Sequence, residues 1–183
     1  MDLLPTFLKL AGRRVLVVGA GPVAASKLDA LCRAGADITV VAPEVHPSIG
    51  RTGVRVETRR FEAADLDGAW FVVAAATPEV NAEVARAAER RGVFVNAVDD
   101  PAHASAYLGG VVRRSDVTIA ISTGGAAPAL AGALREAIDA LLPADLDRWS
   151  ACARDLRLDW KRSGVPMAER RPQLIEALKG LYP

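Results

Sequence analysis

Three stretches of this chain combine residue types that can bind an anion or move a proton. Gly19-Ala20-Gly21-Pro22-Val23-Ala24 fits the pattern G-x-G-x-x-A. In such a turn the first glycine permits a tight bend, the second lets backbone approach a pyrophosphate, and the small last residue lets helix and strand pack closely. Free N–H groups at the start of the following helix face the anion, helped by the helix dipole. Pro22 removes one donor, but its fixed φ suits the first helical position. The pattern reads as dinucleotide binding only if a strand precedes it and a helix follows. Otherwise it is a tight turn that binds nothing.

The second stretch is Asn96-Ala97-Val98-Asp99-Asp100-Pro101. A carboxylate here can take or give a proton beside a bound nicotinamide; equally, Asp99 or Asp100 can simply start a turn before the proline. The third is Ser122-Thr123-Gly124-Gly125-Ala126-Ala127-Pro128. Two hydroxyls and two glycines at a helix entrance suit an anion cradle, or ordinary helix capping. His46 and His103 lie far apart, without metal-ligand spacing, so no metal site is expected.

The elements that must hold these stretches follow from apolar periodicity. Residues 14–18, Arg-Val-Leu-Val-Val, predict a buried strand that ends at the glycine turn. A helix is predicted from Val23 to Ala34, with Gly35 as its stop. Further strands are predicted over 37–42, 54–59, 70–75 and 93–98. Thr77 and Pro78 form an N-cap and first-position pair for a helix running to about Arg91. This alternation predicts a parallel α/β sheet over about the first hundred residues. In such a sheet, ligands bind beyond the C-terminal strand ends, so the glycine turn and Asp99 should open on one edge. A ribose-binding acid is expected ~20 residues past the glycines. Glu44, just after Pro43, stands slightly late for that role and is otherwise a solvated loop charge. No arginine sits beside it to welcome a 2′-phosphate, which favours NAD over NADP.

After about residue 105 the pattern changes. Ala106–Val112 and Val117–Ser122 predict two strands, with Arg113, Arg114, Ser115 and Asp116 between them. Three helices are predicted: Ala127–Leu142, one from Asp145 (a capping aspartate) to about Arg162, and Glu169–Lys179.

Composition bounds the function. The net charge is +1, with 23 basic and 22 acidic residues, so neither nucleic acid nor an anionic membrane is an expected partner. No apolar run approaches the ~18 residues of a membrane span, and the first residues show no basic stretch followed by an apolar run, so export is not expected. Cys32 and Cys152 are widely separated, which predicts reduced thiols and a cytoplasmic location.

Taken in order, these segments resemble the precorrin-2 dehydrogenase / sirohydrochlorin ferrochelatase family, that is, the dehydrogenase half of siroheme synthases and its stand-alone relatives. Met1-Asp2-Leu3-Leu4-Pro5-Thr6-Phe7 is similar to the family's M-D-x-L-P-x-F opening, and Val17 to Ala24 to its V-G-G-G-x-V-A. Lys27, Ala34-Gly35-Ala36, Val41-Ala42-Pro43, Ala75-Ala76-Thr77 and Val80-Asn81 also match. Asn96–Pro101 is similar to its N-V-V-D-x-P, and Ile121 to Ala131 to its V-S-T/S-G-G-x-S-P-x-L-A. Each piece is common alone; the ordered set, from residue 1 to about 143, is specific. One departure stands out. Where the family often reads S-F-x-x-P-A, this chain has Ser105-Ala106-Tyr107-Leu108-Gly109-Gly110, which predicts a smaller, more flexible surface.

The resemblance implies an α/β fold: a Rossmann-like parallel sheet domain over 1–112, a small α+β dimerisation region over 113–143, and a C-terminal helical region over 144–183. It implies NAD-dependent oxidation of precorrin-2, a carboxylate-rich tetrapyrrole, to sirohydrochlorin by a homodimer, with iron insertion as a possible second activity. The essential aspartate falls on Asp99. Cofactor contacts fall on Gly19, Ala20, Gly21, Pro22, Val23, Pro43 and Glu44, to which Thr77 is added. Substrate contacts are assigned to Asn96, Ser122, Thr123, Gly124, Gly125 and Arg113, the last as a fork for substrate carboxylates. The rival reading is a non-catalytic NAD-sensing module.

Overall fold

A computed structural model describes residues 3–51 and 53–180. Met1 and Asp2, which open the resemblance, lie outside them. The chain divides into two compact units, Met1–Leu108 and Gly109–Pro183.

The first unit is one parallel sheet of five strands: β1 (Arg14–Val18), β2 (Asp37–Val41), β3 (Arg55–Glu57), β4 (Phe71–Ala74) and β5 (Phe94–Ala97). Their order is β3-β2-β1-β4-β5, so chain direction across the sheet reverses between β1 and β4. Two helices cover the two faces: α1 (Pro22–Arg33) and α2 (Pro78–Glu89). Alternation along β1 sorts the core. Val15 and Val17 pack with Ala24, Leu28 and Leu31 of α1. Leu16 and Val18 pack with Val84, Ala87 and Ala88 of α2. Burying both faces is why these strands read as unbroken apolar runs. Gly35 and Gly92 adopt φ of 71° and 65°, as stops after α1 and α2.

The second unit holds an antiparallel hairpin, β6 (Gly110–Arg114) and β7 (Val117–Ile121), followed by α3 (Pro128–Leu141), α4 (Leu146–Ser163) and α5 (Met167–Lys179). Several expectations need correction here. The strand expected over 106–112 runs over 110–114, so Arg113 and Arg114 are strand residues rather than a loop, and a boundary after Val112 would cut β6. Only Ser115 and Asp116 form the turn, with Ser115 at φ 52°. Asp145 stands at the N-cap of α4 without a side-chain capping bond; α5 starts two residues early and contains Pro172.

The two glycines that replace the family's proline segment are tight rather than loose. A Cβ on Gly109 would lie 2.0 Å from the Ile121 carbonyl oxygen, and one on Gly110 would lie 2.9 Å from that of Ala131. The hairpin thus closes on itself and on α3 through bare backbone. Arg114 reinforces this, donating to the carbonyl oxygens of Asp139 (3.0 Å) and Leu142 (2.8 Å) and to the Asp139 carboxylate (2.8 Å). A cation here satisfies carbonyls that the end of a helix leaves open.

Candidate functional site

The glycine turn joins the C-terminal end of β1 to the start of α1, the context its motif requires. Its two glycines do different work. Gly19 adopts φ 100°, and a Cβ there would lie 2.2 Å from the Ala75 carbonyl oxygen, inside the loop leaving β4. Only glycine allows that crossing. Gly21 is the N-cap of α1 in an extended conformation, and a Cβ there would enter empty space. That open volume fronts the first turn of α1, which has no side-chain cap. The N–H groups of Val23 and Ala24 therefore lack intrahelical partners and remain available to an anion. Uncapped donors, bare backbone and open space fit a dinucleotide's pyrophosphate; bound there, NAD supplies a hydride acceptor.

The neighbouring loops are tied to this turn. The Gly19 N–H donates to the Val41 carbonyl (2.9 Å), and the His46 N–H donates to the Ala20 carbonyl (2.9 Å). The segment carrying Pro43 and Glu44 therefore runs beside the glycines, with both residues exposed. The Ala75 N–H donates to Val18. The buried Asn81 Oδ1 accepts from the Ala76 N–H at 3.0 Å, holding the loop that Gly19 crosses. Asn81 is a positioning residue that periodicity alone does not reveal; the signal was a polar residue on the buried face of α2. Thr77 is the exposed N-cap of α2, without a side-chain capping bond. Its hydroxyl instead binds Glu79, whose carboxyl is held below the usual range by its own backbone N–H first and then by Thr77.

Asp99 lies in the turn just past the C-terminal end of β5, on the same sheet edge, exposed and at φ 56°. Asp100 and His103 are the next ionisable residues, joined at 2.7 Å between Oδ2 and Nδ1. Asn96 is 7% exposed, and its Nδ2 donates to the Ala106 carbonyl at 3.0 Å. The side chain assigned to substrate therefore anchors the returning chain. Its Oδ1 has no partner among the described residues.

In the second unit the Ser122 hydroxyl accepts from the Gly124 N–H (3.1 Å), and the Thr123 hydroxyl accepts from the Ala127 N–H (3.2 Å). Gly124 and Gly125 take φ of 62° and 80°. Both hydroxyls therefore brace the turn that leads into α3, whose N-cap residue Ala127 has no side-chain capping bond. Arg113 is exposed on the outer face of the hairpin beside Thr118.

Residues 6–110 match the family described as "Putative NAD(P)-binding", and residues 114–141 match "Sirohaem biosynthesis protein central". The chain is 43% identical over 176 residues to siroheme synthase 1 of Aeromonas salmonicida, covering 93% of this chain and 38% of that protein. It is 43% identical over 162 residues to a siroheme synthase of Methylobacillus flagellatus, covering 86% of this chain and 35% of that protein. The chain thus spans well under half the length of these relatives. Among solved structures, SirC, a precorrin-2 dehydrogenase, matches with a TM-score of 0.74 at 26% identity, covering 95% of this chain and 88% of that one.

Proposed function

The chain belongs to the NAD(P)-binding family matched by residues 6–110, and on that premise we propose that it is a precorrin-2 dehydrogenase, oxidising precorrin-2 to sirohydrochlorin with NAD. The observation that carries this is the likeness to SirC, which covers both chains nearly end to end. A bare NAD-sensing module would need only the first unit. Here a second match, to the sirohaem biosynthesis central family, covers β7 and α3 of the second unit.

The reaction removes a hydride and a proton from the partly reduced macrocycle. In this reading Gly19, Ala20, Gly21, Pro22 and Val23 cradle the cofactor's pyrophosphate, Pro43 and Glu44 border its ribose, and Thr77 lies at the second loop. Asp99 either takes part in proton transfer or orients the macrocycle beside the nicotinamide. Arg113, with an exposed guanidinium and no partner among the described residues, and the Ser122–Gly125 turn are assigned to substrate carboxylates. Asn96 acts on the site by fixing the chain at Ala106.

The protein acts as a homodimer through the 113–143 region. Leu130, Leu134, Ala137 and Leu141 of α3 are spaced as a helical seam, with the three leucines 53%, 41% and 82% exposed. Such a stripe needs a partner surface, and two-fold pairing is the commonest solution. Two free cysteines support a cytoplasmic location. Among the described residues no helix is long and apolar enough to cross a membrane.

The deciding experiment is turnover of enzymatically made precorrin-2, followed by visible spectra with and without NAD. NAD-dependent appearance of sirohydrochlorin is expected. NAD binding without turnover would favour the sensing module instead.

A further inference from the structure

We propose that His103 accepts the proton lost by the substrate, held in its working tautomer by Asp100. This rests on the dehydrogenase reading above and assigns a chemical step within it.

Local geometry builds the pair. Asp99, at φ 56°, turns the chain directly after β5. Asp100 then caps a single 3₁₀ turn, Pro101–His103, with proline at its first position. With three residues per turn, positions three apart eclipse, so Asp100 and His103 meet side by side. The His103 N–H donates to the Asp100 carbonyl at 3.2 Å, and Nδ1 lies 2.7 Å from Oδ2. An ionised carboxylate only accepts hydrogen bonds, so Nδ1 must carry the proton. In the neutral ring the lone pair is then on Nε2, which has no partner among the described residues. The imidazole side chain is 39% exposed, so Nε2 is not consumed by the fold.

The frame around the pair is stapled. The Ser105 hydroxyl accepts from the Val95 N–H at 2.8 Å, and the N–H groups of Ser105 and Ala106 both donate to the Val95 carbonyl. Asn96 holds Ala106, and the Tyr107 hydroxyl donates to the Pro101 carbonyl at 3.3 Å. Neither rival offers the same arrangement. His46 binds Ser48 rather than a carboxylate, and Asp99 has no histidine to stabilise.

The step balances. A C–H bond of the macrocycle gives its electron pair and proton to oxidised NAD as hydride. A second hydrogen leaves as a proton to Nε2, and the electron pair it leaves behind completes the new double bond. The imidazolium, stabilised by Asp100, then releases its proton to water. A carboxylate that orients an imidazole and stabilises its charged form is a recurring device for general bases.

The test uses the full chain. His103→Gln is expected to lower kcat for NAD-dependent precorrin-2 oxidation by about 10²-fold or more, with NAD affinity and circular dichroism unchanged. Imidazole should restore turnover to His103→Ala in proportion to its concentration, and should not restore Asp99→Asn. Nitrogen NMR of the wild type should show the proton on Nδ1, a preference that Asp100→Asn removes while lowering kcat. Wild-type kcat in His103→Gln, a folded His103→Ala that imidazole cannot rescue, or a proton on Nε2 would each overturn the proposal. An inactive wild type would overturn the dehydrogenase reading and this base with it. An active wild type with an equally active variant overturns only the base.

Discussion

At the scale of single residues, the two motif glycines should fail in opposite ways. Gly19→Ala sets a Cβ against the Ala75 carbonyl oxygen at a φ of 100°. It is expected to destabilise the first unit by on the order of 1–3 kcal/mol, read as a lower thermal midpoint. Gly21→Asp adds a Cβ with no protein atom within 4 Å. It puts bulk and negative charge where the pyrophosphate belongs, so NAD affinity should collapse while the midpoint holds. Calorimetry showing unchanged NAD binding in a folded variant would remove the turn from the site. Asp99 needs two substitutions, because it has both a charge and a positive φ. Asparagine tolerates the left-handed region at least as well as aspartate. Asp99→Asn should therefore keep stability and NAD affinity while turnover drops ~10²–10⁴-fold. Asp99→Ala should show that drop plus about 1 kcal/mol of lost stability. Wild-type turnover in Asp99→Asn would reduce Asp99 to a turn residue.

At the scale of elements, two ion-paired junctions deserve separate tests. Between β3 and β4, Arg59 grips the mostly buried Asp65 with two hydrogen bonds of 2.9 and 2.7 Å. Asp65 also accepts from the Glu62 N–H at 2.9 Å. Arg59 first, and then that N–H, hold the Asp65 carboxyl below its ordinary range. A depressed carboxylate contributes stability that is present above its unfolded pKa of about 4 and lost as pH falls through the folded value. Wild type should therefore be more stable than Asp65→Asn at neutral pH, with the gap closing in the acid range; a pH-independent gap in denaturation midpoints would contradict this. In the second unit, Arg114 joins β6 to the end of α3. Arg114→Met leaves those carbonyls unsatisfied and should cost on the order of 1–3 kcal/mol, visible in chemical denaturation while NAD binding by the first unit persists.

At the scale of the whole molecule, the exposed seam of α3 is what a monomer would least tolerate. Light scattering at micromolar protein should give a dimer. Leu134→Glu, placing a charge within that stripe, should shift it towards monomer without unfolding the first unit. A wild-type monomer at that concentration would contradict the dimer.

The α/β unit was largely legible from the chain itself, because its signals are local. Unbroken apolar runs such as Val15–Val18 require burial on both faces, and Gly35 and Gly92 require positive φ at helix ends. The glycine turn followed from its flanking strand and helix. Contacts between distant residues were not legible. Nothing in the sequence beside Gly19 announces the Ala75 carbonyl, and nothing near Arg114 announces the end of α3. The hairpin register moved from 106–112 to 110–114 because Ser105 and Ala106 bond to the edge of β5 instead. Asn96 is illegible for the same reason: a polar residue at a strand end can face a ligand or the returning chain, and only the structure shows its Nδ2 on the Ala106 carbonyl. Periodicity reports which face a residue buries. Only the tertiary structure decides what a buried or turning residue meets there, because that partner comes from elsewhere in the chain.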